Sequence, residues 1–114
     1  MSVKNVGVDV VEVKRFRHIL RKKRDLFLQT TFSLHERDYC MSHADPATHF
    51  AGTFAAKEAV LKASGDRALP SSIEIRRDKD GKPSVWRNGK RSKHFMISIS
   101  HERSIACAVV LYLV

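Results

Sequence analysis

Asp45-Pro46-Ala47-Thr48-His49-Phe50-Ala51-Gly52-Thr53-Phe54-Ala55-Ala56-Lys57-Glu58-Ala59-Val60-Leu61-Lys62-Ala63-Ser64-Gly65 is the stretch on which the fold turns. Asp as cap, Pro at the first helical position and Gly at the end predict a helix from about 46 to 64. Its buried stripe includes Phe50, Phe54, Ala55 and Leu61. Upstream, Ser33-Leu34-His35-Glu36 has the form of a capping box, which opens a short helix running to about Ser42. Further back, Phe16, Ile19, Leu20 and Phe27 recur at helical spacing and predict an amphipathic helix over 13–27, with Arg17, Arg21 and Arg24 on another face.

Strand patterns lie at both ends of the chain. The β-branched run Val6-Gly7-Val8-Asp9-Val10-Val11 predicts a buried or half-buried strand over about 3–11. After Leu69-Pro70 the period falls to two: Ile73 to Arg76, a turn at Asp78-Lys79-Asp80-Gly81, then Ser84 to Arg87. A second hairpin pairs Met96 to Ser100 with Ile105 to Leu113, whose last strand is apolar on both faces and so is expected at the centre or under helices. The pattern predicts a single α+β domain over 1–114, a small antiparallel sheet packed against a long helix plus shorter helices.

The formal charge of +9 calls for an acidic partner but does not choose one. Seven basic residues fall between Lys14 and Arg24 and eight between Arg76 and Lys93. Neither stretch carries aromatics interleaved as a base-stacking platform, which argues against nucleic acid. Cys40 and Cys107 have no partners at metal-site spacing, so two reduced thiols in a cytoplasmic protein are expected. No stretch has the length and apolarity of a signal peptide or a bilayer span, so no membrane partner is expected.

Two carboxylates sit where folding gives them little reason to be. Asp9 interrupts the valine run, and Glu58 falls among the apolar positions of the long helix. A buried carboxylate is costly unless it is paired or holds a metal, so the two together point to one acidic site. As hard oxygen ligands they suit Mg²⁺, which keeps waters and takes phosphate oxygens. Lys62, four residues after Glu58, can act on the same ligand, although a plain surface ion pair is an equal reading. His35, His43, His49 and His94 lack the paired spacing of zinc ligands, whereas His101 ends a strand where side chains reach a cleft. P-loop, dinucleotide-fold and hydrolase-elbow signatures are absent.

Gly7-Val8-Asp9-Val10-Val11-Glu12-Val13-Lys14-Arg15-Phe16, Phe54 to Ala63, and Ser98-Ile99-Ser100-His101 together resemble the signatures of holo-acyl-carrier-protein synthase, the small homotrimeric class of phosphopantetheinyl transferases. The resemblance extends through Phe32 to Glu36, Asp80-Gly81-Lys82-Pro83 and the last strand. It implies that family's fold and the Mg²⁺-dependent transfer of the phosphopantetheine arm of coenzyme A to a serine of an apo acyl carrier protein. On this resemblance Asp9 and Glu58 hold the metal, Glu58 takes the serine proton, and Lys62 steadies the phosphates.

The same resemblance implies that Lys82, Pro83, His101 and Gly65 fall around coenzyme A, some supplied by a neighbouring protomer of a trimer. It likewise implies that Arg15, Arg21 and Arg24 receive the acidic carrier protein. Family members usually carry Arg where this chain has Thr53, so one cationic contact to coenzyme A is expected to be missing. A transferase devoted to a polyketide or other lipid carrier, and a catalytically silent basic module, are the alternatives.

Overall fold

The computed structural model describes residues 1–114. Its elements are β1 (Val3–Glu12), α1 (Val13–Ile19), α2 (Leu26–Thr31), α3 (Leu34–Met41), α4 (Pro46–Ser64), a 3-10 turn at Pro70–Ser72, β2 (Glu74–Arg77), β3 (Pro83–Arg87), β4 (Lys90–Arg91), β5 (Phe95–His101) and β6 (Ile105–Leu113). The α+β expectation holds, with the strands divided between two antiparallel sheets ordered β1-β6-β5 and β2-β3-β4. Strand β6 is central in the first, as its apolar sequence requires.

Helix α4 lies across the inner face of the first sheet. Gly7 makes that approach possible: a Cβ there would fall 2.1 Å from the Ala59 carbonyl oxygen and 2.7 Å from the Ala63 nitrogen, both backbone atoms of α4. Around α4 the core gathers Val11, Val13, Phe16, Phe32, Phe50, Phe54, Val60, Ile73, Val85 and Val110. Phe16 meets Phe27, Phe32, Phe50 and Phe54 at ring separations of 5.9–6.3 Å.

Three expectations need correction. The helix predicted over 13–27 is two, because α1 stops at Ile19 and Asp25 caps a new start by accepting from the Leu28 amide. Four consecutive cations, Arg21 to Arg24, occupy the break, where like charges would crowd successive turns of a continuing helix. Asp45 occupies the cap position of α4 without capping it. Its carboxylate instead takes a bidentate pair from Arg17 at 2.6 and 2.9 Å, which ties α1 to the start of α4 and holds the Asp45 carboxyl below the usual range.

The third correction concerns β1. Its inward positions are Gly7, Asp9 and Val11, while Val6, Val8 and Val10 face outward and are exposed. Alternation is therefore inverted, with a carboxylate turned toward the helix and valines toward solvent. Across the same outer face run Ile105, Cys107 and Val109 of β6 and Met96 of β5, following the strand register. The other thiol, Cys40, sits on the buried side of α3, where burial pushes it up to about 12.

Candidate active site

Asp9 and Glu58 open on one cleft of ≈ 490 Å³, lined also by Val10, Val11, Glu12, Lys14, Arg15 and Phe54. Strand β1 presents Asp9 on the side that faces α4, and α4 presents Glu58 one helical turn after Phe54. Both residues are half-buried rather than enclosed. Lys62 donates to Asp9 Oδ1 at 3.0 Å and to the Val8 carbonyl at 3.1 Å. Glu58 enters no ion pair. Arg15 lies over the rings of Phe27 and Phe54, 5.0 and 5.2 Å from their centroids, which places a cation at the rim beside both carboxylates.

The donor set is two carboxylates, and nowhere in the chain do three His, Cys, Asp or Glu side chains gather as a metal cage. That composition fits a hard divalent ion which completes its octahedron with water and phosphate oxygens, and it does not fit zinc.

The residues expected around the nucleotide lie elsewhere. Lys82 and Pro83 line a separate groove of ≈ 220 Å³ with Ser84, Val85, Arg91, Ser92, Phe95, Met96 and Ile97. His101 ends β5, near Gly52 on α4 and 4.8 Å from the His49 ring. Strands β1 and β5 are opposite edges of the sheet with β6 between them, and the two clefts share no residue. Gly65 caps α4 and lines neither cleft. Arg15 and Arg21 border a cationic groove on α1 with Lys14, Arg17 and His18, while Arg24 lies exposed in the following connection. Thr53 is buried, its hydroxyl 3.8 Å from the Cys40 sulfur, so position 53 belongs to the α3–α4 packing in this chain.

Sequence reasoning missed the buried pair Lys57–Glu36. The ammonium donates to Glu36 Oε1 at 2.5 Å and to the Thr31 carbonyl at 2.7 Å, and lies 5.2 Å from the centre of the Phe32 ring. Glu36 also accepts from the Ser33 amide at 2.9 Å and, through Oε2, from the Ile75 amide at 2.8 Å. One carboxylate thus completes the expected capping box and joins α3, α4 and β2. Burial pulls the Lys57 ammonium below the ordinary lysine range, with Glu36 opposing. The signal was available: Lys57 is flanked by Ala55 and Ala56 in the most apolar part of α4.

Comparison with known proteins identifies the family. Residues 5–110 match the 4'-phosphopantetheinyl transferase superfamily. A holo-[acyl-carrier-protein] synthase of Thermodesulfovibrio yellowstonii is 43% identical over 96% of this chain and 97% of its own. One from Leptospira biflexa is 38% identical over 95% and 94%. Among solved structures, the Bacillus anthracis holo-(acyl-carrier-protein) synthase in complex with CoA (3',5'-ADP) superposes with a TM-score of 0.78 at 30% identity, covering 98% of both chains. A Chronobacterium ammoniagenes enzyme in complex with CoA gives 0.79 at 27% identity over 93% of both. The chain belongs to the 4'-phosphopantetheinyl transferase superfamily.

Proposed function

We propose that this member of the 4'-phosphopantetheinyl transferase superfamily is a holo-[acyl-carrier-protein] synthase. It moves the phosphopantetheine arm of coenzyme A to a serine of apo acyl carrier protein and releases adenosine 3',5'-bisphosphate. The observation that carries the reading is the convergence of Asp9 from β1 and Glu58 from α4 on one open cleft, with Lys62 and Arg15 beside them. Relatives that cover nearly the whole chain carry this activity in their names, and two similar structures hold coenzyme A.

In the reaction the serine oxygen attacks the phosphorus that bears the pantetheine arm. A new P–O bond forms and the diphosphate bridge breaks toward the adenosine bisphosphate. Asp9 and Glu58 would hold Mg²⁺, which supplies neutralisation of the charge that builds on the leaving phosphate. Glu58, free of any ion pair, is placed to accept the serine proton. Lys62 contributes a mobile point charge for a phosphate oxygen. Arg15, Arg21 and Arg24 offer the acidic carrier a cationic approach, which raises encounter rate and weakens with salt.

A homotrimer in the cytoplasm completes the proposal. The cleft of the dyad and the groove lined by Lys82 and Pro83 share no residue, which supports a site completed by a neighbouring protomer. The exposed Val6, Val8, Val10, Ile105 and Val109 form the apolar face such an assembly would cover. A Val8→Lys variant is expected to sediment as a monomer and to lose activity.

The decisive experiment incubates the protein with coenzyme A, Mg²⁺ and apo carrier. Intact mass spectrometry is expected to show the added arm, and Glu58→Ala to abolish it. If no apo carrier of fatty-acid or polyketide type gains the mass, the transferase reading is wrong.

A further inference from the structure

Lys62 differs from every other lysine of the chain in its partners. It is half-exposed, yet two of its donors are spent on one edge strand, at Asp9 Oδ1 and the Val8 carbonyl. Asp9 needs that contact, since a half-buried carboxylate between a sheet and an apolar helix face is costly without a counter-charge. Glu58, one turn earlier on the same helix, has none. Around the cleft Asp9, Glu12 and Glu58 are balanced by Lys14, Arg15 and Lys62, so the site by itself offers an anionic substrate no net attraction. A divalent ion between the carboxylates makes it positive.

We propose that Lys62 is a resident counter-cation for Asp9 that the divalent ion displaces, so that metal entry and release of the ammonium toward the diphosphate are one event. The inference rests on the reading of Asp9 and Glu58 as ligands of a divalent ion. It adds an order to that site: the ion must compete with an internal cation, and Lys62 reaches the substrate only once the ion is in place. Lys57, sealed inside the core on the adjacent turn, could not serve in this way, whereas the Lys62 side chain is 55% exposed and free to swing.

The test measures Mn²⁺ binding to the full chain by electron paramagnetic resonance, without coenzyme A. Replacing Lys62 by Met removes the competitor while keeping the aliphatic stem, and affinity is expected to rise about tenfold. Lys14→Met takes a charge from the same cleft without freeing Asp9 and is expected to change affinity by less than about twofold. During Mg²⁺ titration of the wild-type chain, the Lys62 ε-methylene resonances are expected to shift in step with occupancy. Equal or weaker Mn²⁺ binding by Lys62→Met, beside a wild-type site that needs Asp9, overturns the displacement and leaves the metal reading standing. Asp9→Asn binding Mn²⁺ as tightly as wild type overturns both.

Discussion

Lys57 and Glu58 are neighbours in sequence and belong to opposite kinds of site. Successive residues of a helix point about 100° apart, so one enters the seam of α4 with α3 and β2 while the other borders the cleft beside β1. At Lys57 the ion pair is enclosed, and both Glu36 oxygens accept hydrogen bonds from three elements. At Glu58 the carboxylate is half-exposed with no ion-pair partner, and Lys62, one turn on, is engaged with Asp9. The same pair of residue types thus fixes a helix when both carboxylate oxygens are hydrogen-bonded, and leaves acceptor capacity for a ligand when they are not.

The largest effect that would sharpen this contrast is on stability. Removing one partner of the sealed pair, as in Glu36→Ala or Lys57→Ala, leaves a buried charge alone, and urea unfolding is expected to show a loss of about 3–5 kcal/mol. Glu58→Ala should stay within about 0.5 kcal/mol of wild type while activity disappears. Comparable losses for the two glutamates would erase the distinction.

Gly7→Ala comes next, and it touches both sites through α4. Its Cβ overlaps backbone atoms that no rotamer can move, so β1 and α4 must separate. A loss of about 1–3 kcal/mol is expected, with weaker divalent binding because Asp9 withdraws from Glu58. Wild-type metal affinity in this variant would show that the two carboxylates do not depend on that close approach.

The smallest effect concerns the far side of α4. There His49 stacks on His43 at 3.7 Å and meets His101, near Arg77 and Asp45. Burial first, then the charges of His43, His101 and Arg77, pull His49 down to about 4, with Asp45 opposing. An unfolded histidine takes its proton near pH 6.5, so between there and about 4 the unfolded chain binds more protons. Stability is therefore complete above that window and falls as pH drops through it. His49→Phe is expected to flatten this part of the urea-midpoint profile, and an unchanged slope would assign the effect to other groups.

Much of this was legible in residues one at a time. Asp9 and Glu58 declared themselves by being the wrong type for their surroundings, and the box at Ser33–Glu36 by its spacing. Strand β4 was legible and overlooked: Asn88-Gly89 carries positive φ at both positions, the requirement of a two-residue hairpin turn. Asp25 likewise marked the start of α2 inside a pattern whose apolar spacing continued through it. The partner of Lys57 was not legible, since nothing local links it to a glutamate that already had a role as a cap.

Sequence alone determined the α+β architecture and singled out the two cleft carboxylates, because these rest on local periodicity and on residue types costly to misplace, and the resemblance of its motifs pointed to the family. Only the tertiary structure decided that the β1 valines face outward, that Asp45 serves Arg17 rather than its own helix, and that Lys62 holds Asp9. Each of those depends on which element packs against which. A side chain's partner across the fold is set by the distance between backbones, here the close approach that Gly7 permits, and no spacing along the chain encodes that distance.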